Sequence, residues 1–482
     1  GVYHIYGDET TLGEGYNMQQ IPKEQQGLFG LLTATMGQSY ILHTPEALRD
    51  CMRRGTNCVH HPHKAGPFYV LLPLNTQPAT VRINLAALPE AIAPAKTVPA
   101  DPAVFDRAAQ LIRQHQRICI KAGGGTRGHD DAIRTLAESI GAVVALSPGS
   151  TGVLPDAHAQ NMHVGGSKGS ISGNYAMSQA DLVIVIGSRA VCQADCSGIG
   201  YASAESVINI NGDLSDLTHY NKTVGLQGDI GAVITRLLVA MDQHDNAHLA
   251  SKQAWLETCK AKKAEWSAFK AERCTAAPMM DDVWQTPVLG QPSAIKVVSD
   301  FAKSVGATKF FDAGDVQANG FQIVEDDNTG DTITESGASY MGFAVSALLA
   351  SAVADTHRYG IAFSGDGSFM MNPQILIDAV EHGVHGMIVI FDNRRMAAIT
   401  GLQNAQYGHE FRTNDGVAVN YVQMASSVAG VKAISSGDTI ASLQEALAAA
   451  HKHDGLALVH VPVYSGANPM GEMGAYGSWN VG

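Results

Sequence analysis

Short apolar runs alternate along the chain with stretches whose apolar residues recur at helical spacing. The runs are VYHIY (Val2–Tyr6), FYVLLPL (Phe68–Leu74), ICIKAG (Ile118–Gly123), AVVALS (Ala142–Ser147), DLVIVIGS (Asp181–Ser188), VININGD (Val207–Asp213), KFFDAGD (Lys309–Asp315), YGIAFSGDG (Tyr359–Gly367), MIVIFDN (Met387–Asn393) and LALVHVPV (Leu456–Val463). Most are near-continuously apolar, the pattern of strands buried on both faces, and helical patterns such as PAVFDRAAQLIRQH and DTIASLQEALAAAHKH fill the intervals. The pattern predicts an α/β fold of doubly wound, mostly parallel sheets.

Two proline-bearing segments, Leu85–Pro102 and Thr275–Pro292, interrupt the series and cannot be continuous helix or central strand. They predict three domains, 1–90, 91–275 and 276–482, about the number that 482 residues suggest. No apolar run approaches a membrane span, and no signal segment opens the chain, so a cytoplasmic protein is expected. The formal charge of −13 argues against a nucleic-acid or anionic-membrane partner. Seven scattered cysteines fit reduced thiols better than a disulfide framework. The cluster CMRRGTNCVHHPH (Cys51–His63) lacks the tight ligand spacing of zinc sites and is expected at the surface, and Cys192 and Cys196 as core or loop thiols.

One stretch carries specific chemistry. In FSGDGSFMMN a single carboxylate, Asp366, stands between Gly365 and Gly367 after an apolar run. A strand is expected to end at Ser364, a turn to follow through Ser368, a helix to cover about 373–382, and the next strand to end at Asp392 and Asn393. Parallel strands end at the same edge of their sheet, where ligands bind in open α/β folds, so Asp366 and Asn393 are expected neighbours. An Asp oxygen, an Asn carbonyl and a main-chain carbonyl just beyond form a hard, oxygen-only set suited to Mg²⁺, with positions left for phosphate oxygens and water. The glycines let main chain approach a phosphate.

This arrangement resembles the motif of the thiamin-diphosphate enzymes, and GDGSFMMN with FDNRRM is similar to the acetolactate synthase branch of that superfamily. The segment ESGASYMGFAVSALLASAVA resembles the part of those enzymes whose MGF packs against the cofactor, and VGGSKGSISGNYAMSQADLVIVIGSR resembles their central domain. The resemblance implies three domains: a truncated pyrimidine-binding domain, a central domain and a diphosphate-binding domain. It implies thiamin diphosphate and Mg²⁺ as cofactors, with Asp366, Asn393 and the main-chain carbonyl of Arg395 as metal ligands. Gly314, Asp315, Val316 and Gln317 of the GDVQ loop would contact the diphosphate, as would Gly365, Gly367 and Ser368, and Met341 would hold the cofactor bent. The resemblance further implies a homodimer or homotetramer with the active site at the subunit interface, and admits FAD in the central domain.

Two departures qualify these expectations. The activating Glu of the family has no counterpart here, and Glu9, Glu14 and Glu24 stand outside its context, so the chain is expected to be part of a longer protein. Ala397 and Ala398 replace the more usual Gly-Met after the Asn, and ESGASYMGF with LPLNTQ is also similar to trihydroxycyclohexanedione hydrolase. A small-molecule 2-oxo acid or a diketone is therefore the expected substrate. A non-catalytic thiamin-diphosphate-binding or regulatory subunit stays open beside both. The KAGGG string (Lys121–Gly125) is a weak dinucleotide signal, lacking a clean GxGxxG.

Overall fold

The apolar runs form the strands of three parallel sheets in the structure, a computed structural model that describes residues 1–12, 25–90, 93, 95–241, 247–335, 337–414, 416–466 and 470. The chain divides into two units, Gly1–Thr97 and Val98–Gly482.

In the first unit β1 (Val2–Asp8), β2 (Gln38–Ile41) and β3 (Pro67–Pro73) pair in the order β1-β3-β2. The helix Leu48–Val59 covers one face, setting Cys51, Cys58 and Val59 against Phe68 and Val70. The Cys51–His63 stretch, expected at the surface, therefore divides: both thiols are core, and the three histidines, His60, His61 and His63, are exposed. Helical spacing explains the difference, because Cys51, Gly55 and Cys58 fall on the face turned to the sheet. Among the described residues no three His, Cys, Asp or Glu side chains are gathered as a metal would require.

The second unit holds two six-stranded parallel sheets. In the first, β4 (Ile118–Ala122), β5 (Val143–Leu146), β6 (Asn161–Val164), β7 (Leu182–Ile186), β8 (Ser206–Asn211) and β9 (Thr223–Gln227) run in the order β6-β5-β4-β7-β8-β9. Phe105, Ile112, Leu136 and Leu237 pack on one face, and Met177, Trp255 and Cys259 on the other. A hairpin of β10 (Met279–Asp281) and β11 (Thr286–Val288) follows.

In the last sheet β12 (Thr308–Phe311), β13 (Thr332–Thr334), β14 (Gly360–Gly365), β15 (Gly386–Asp392), β16 (Lys432–Ser435) and β17 (Leu456–Pro462) take the order β13-β12-β14-β15-β17-β16. The chain moves outward from β12 to β13 and then back across to β14, so the winding reverses between β12 and β14. Such a reversal opens a crevice at the carboxyl edge. Among the described residues no helix is long and apolar enough to cross a membrane, and all seven cysteines are free.

Candidate active site

The crevice is organised by a carboxylate absent from the sequence-based site. Asp312, fully buried one position beyond β12, accepts hydrogen bonds from Ser364 Oγ at 2.5 Å, the Gly342 amide at 2.8 Å and the Ala344 amide at 3.3 Å. Burial pushes the Asp312 carboxyl above its usual range, against the opposing pull of these donors. The contacts tie the end of β14 and the start of the helix Phe343–Ala347 to one point. Gly342 takes a left-handed conformation there, with φ of 89°. The turn brings the residue before it, Met341, over the GDG segment: its methyl carbon lies 3.5 Å from where a Cβ on Gly367 would stand.

Asp366 and Ser368 are buried at the carboxyl end of β14, in the short helix Asp366–Phe369, and β14 itself continues through Gly365. The register pairs Gly365 with Phe391, so Asp366 and Asn393 leave adjacent strands within two positions of each other. Asn393 is also buried. Its Oδ1 accepts the Arg395 amide at 3.2 Å, and its Nδ2 donates to Asp315 Oδ2 at 2.9 Å. Arg394 between them is left-handed, with φ of 56°, and the Met396 amide donates to the Thr413 carbonyl at 2.8 Å, fixing the far side of the loop. Ala397 is buried and Ala398 half-buried beyond it.

Gly314–Gln317, expected as a loop, instead opens the helix Gly314–Ile323. Gly314, with φ of 75°, makes the turn out of β12. The side chains that follow are committed inward. Val316 is core, Gln317 Nε2 donates to Thr334 Oγ1 at 2.8 Å and to the Glu335 carbonyl at 2.9 Å, and Asp315 accepts from Gln291 Nε2 at 2.6 Å. What this turn can offer a phosphate is main-chain N–H at a helix start, where anions are favoured. A cleft opens here, lined by Gln291, Asp315, Asn393, Arg395, Ala397 and Tyr464 among others.

Glu9 accepts the Gly27 amide in the first unit, and Glu14 and Glu24 fall outside the described residues. The KAGGG glycines serve a close chain crossing: the Gly125 amide donates to the Gly187 carbonyl at 2.9 Å, and a Cβ on Gly123 would stand 2.4 Å from that oxygen. Cys192 is exposed, whereas Cys196 is buried in a left-handed conformation. Sequence reasoning missed Asp312, Gln291, and Glu335, whose carboxylate accepts the Gly337, Ala338 and Ser339 amides and so shapes the loop before Met341. The only sequence signal for Asp312 is a carboxylate directly closing an apolar strand; Gln291 carries none.

A parallel sheet whose switch-point edge gathers glycines, an oxygen-only donor set and helix-start amides defines an α/β enzyme built around a phosphate-bearing ligand. Carboxylate, amide and main-chain oxygens are donors of the kind Mg²⁺ takes, and a Cβ on Gly365 or Gly367 would meet Val316 at 3.8 Å or Met341 at 3.5 Å. Two family models match: residues 312–461 the C-terminal TPP binding domain of thiamine pyrophosphate enzymes, and residues 105–237 their central domain. The chain belongs to the thiamine pyrophosphate enzymes. It is similar to a probable acetolactate synthase large subunit of Methanocaldococcus jannaschii, 26% identical over 432 residues, covering 87% of this chain and 70% of the relative. Acetolactate synthase isozyme 1 large subunit of Escherichia coli is 25% identical over 433 residues, covering 88% and 71%. The 3D-(3,5/4)-trihydroxycyclohexane-1,2-dione hydrolase of Lacticaseibacillus casei is 26% identical over 435 residues, covering 84% and 66%.

Proposed function

We propose that the protein is a thiamin-diphosphate- and Mg²⁺-dependent enzyme that makes or breaks a C–C bond next to a carbonyl. The observation that carries this reading is the meeting of buried Asp366 and Asn393 at adjacent strand ends, with the Met341 methyl standing over Gly367. Asp366, Asn393 and the Arg395 carbonyl would hold Mg²⁺. The Gly314–Gln317 main chain, with Gly365, Gly367 and Ser368, would take the diphosphate, and Met341 would support the bend of the cofactor. Thiamin diphosphate, when bound, supplies a nucleophilic carbon and an electron sink. A homodimer or homotetramer that shares its sites between subunits belongs to the same reading.

The reaction favoured is decarboxylation and carboligation of a 2-oxo acid, as the names of the acetolactate synthase relatives suggest. Hydrolysis of a cyclic 1,2-diketone is the second reading, supported by a relative of that name at equal identity and by Ala397 and Ala398 standing where the first reading expects Gly-Met, Ala397 lining the cleft. Incubation of the full-length protein with pyruvate, thiamin diphosphate and Mg²⁺ separates them. Carbon dioxide and a 2-hydroxy-2-methyl-3-oxo acid support the first reading. Ring opening of a cyclic diketone without carbon dioxide supports the second. Cofactor binding without either product, and with C2 proton exchange at the rate of free cofactor, would replace both by a non-catalytic binding subunit.

A further inference from the structure

Behind Asn393 a series of side chains is oriented from both ends. Arg273, 4% exposed, is a donor-only group: its guanidinium donates to Asn319 Oδ1 at 2.9 Å and to Gln322 Oε1 at 2.7 Å. With its oxygen facing Arg273, Asn319 turns Nδ2 to Gln291 Oε1 at 2.5 Å. Gln291 in turn directs Nε2 to Asp315 Oδ2 at 2.6 Å, and Asn393 Nδ2 reaches the same oxygen at 2.9 Å. A carboxylate only accepts, so an amide beside it must present its NH₂ group. Every amide in the series therefore has one allowed orientation, and the Asn393 oxygen is the atom turned away from Asp315.

That orientation matters because only the oxygen of an Asn side chain can ligate Mg²⁺. We propose that Asp315 is a positioning residue for Asn393, acting through the amide hydrogen bond rather than by side-chain contact with the diphosphate, and that Gln291, Asn319 and Arg273 set the direction of that bond. The proposal rests on the reading of Asn393 as a metal ligand. It narrows the expected contact of Asp315 with the diphosphate to the main chain, since a side-chain contact would bring a carboxylate against a diphosphate of like charge. Outer partners that orient metal ligands matter to affinity, and their loss typically costs about 10- to 100-fold.

The test uses the full-length protein, stripped with a chelator, at saturating thiamin diphosphate. Mg²⁺ is titrated, and the metal-dependent rise in melting temperature and the heat of binding are followed, with the melting temperature of the stripped protein as the folding control. Asp315→Leu removes the acceptor and leaves Asn393 without the bond that turns its oxygen outward, and the Mg²⁺ concentration for half-saturation should rise about 10- to 100-fold. In Asp315→Asn the NH₂ group of Gln291, fixed by Asn319 and Arg273, draws the new amide oxygen to the place of Asp315 Oδ2, so the bond to Asn393 survives although the charge is lost. Its Mg²⁺ requirement should stay within a few-fold of wild type. An unchanged requirement in Asp315→Leu, or a requirement in Asp315→Asn as high as in Asp315→Leu, overturns the proposal alone. Wild-type protein without any Mg²⁺-dependent binding of thiamin diphosphate overturns the parent reading and the proposal with it.

Discussion

The Met341 methyl carbon stands 3.5 Å from the point at which a side chain on Gly367 would begin, although the two residues lie on different segments of the last sheet's carboxyl edge. Met341 is 37% exposed, so its thioether is held over the GDG segment without being locked into the core. A residue that supports a bent cofactor acts on the geometry of the reacting state more than on affinity. Met341→Ala should therefore leave the melting temperature of the cofactor-free protein nearly unchanged and lower kcat by about 100-fold, the scale of a small misplacement at a reacting centre. The dissociation constant for thiamin diphosphate should move far less. Steady-state kinetics and cofactor titration of the same preparation check this, and a variant with full kcat and weakened cofactor binding would make Met341 a simple contact.

Asp312 holds two main-chain amides and one hydroxyl, so its replacement discriminates a structural carboxylate from a passive one. Asp312→Ala leaves the Gly342 and Ala344 amides and Ser364 Oγ without their acceptor in a buried place. Each unsatisfied buried donor costs about 1–3 kcal/mol. Asp312→Asn keeps one acceptor oxygen for the two amides, and Ser364 can turn to accept from the new NH₂ group. Resistance to urea should fall in the order wild type, Asn variant, Ala variant, and an Ala variant at least as stable as the Asn variant would show that these contacts carry no net stabilisation.

The elements that could be read from the chain and those that could not differ in a physical way. The interior strands β4, β5, β7, β8, β12, β14, β15 and β17 are buried on both faces and announce themselves as apolar runs. The parallel strands not anticipated, β2, β6, β9, β13 and β16, all lie at sheet edges, where one neighbour suffices and polar residues such as those in KAIS or TIT are tolerated. The Asp366 and Asn393 pair was legible because two strand ends at one edge follow from local pattern alone. Asp312, Gln291 and Arg273 were not, because their roles arise where a helix end, a helix start and a strand end converge from distant parts of the chain. Asp315 was legible as a position but not as an orientation, since nothing local says that its carboxylate faces Gln291 and Asn393.

Two glycines with positive φ separate backbone strain from crowding. Gly342 has φ of 89°, and an added Cβ would stand 3.2 Å from Met371 Cβ; Gly314 has φ of 75° with nothing within 4 Å. A left-handed conformation costs a residue with a side chain about 1–2 kcal/mol. Gly314→Ala should lose about that much, and Gly342→Ala more, since Met371 must also give way. Melting temperatures of the two variants in parallel check the order. A larger loss in Gly314→Ala would mean that the space around the GDVQ turn is not open.

Lys121 gives the central sheet a pH signature. Its side chain is fully buried and its Nζ donates to the Leu146 carbonyl at 2.8 Å and the Gly165 carbonyl at 2.9 Å. Burial pulls this ammonium down to about 8 from an ordinary 10.5, with the neighbouring Cys119, Asp195 and Cys196 opposing. Between those two values the unfolded chain holds a proton that the folded chain lacks, so stability rises with pH across that window by up to about 3 kcal/mol. Below the window both states are charged and the contribution is level. In Lys121→Met this rise should vanish, so the difference in urea midpoint between wild type and variant should widen in favour of wild type from pH 8 to pH 10. A difference that stays constant over that range would mean that Lys121 keeps its proton in the folded protein, held by its two carbonyl partners against the cost of burial.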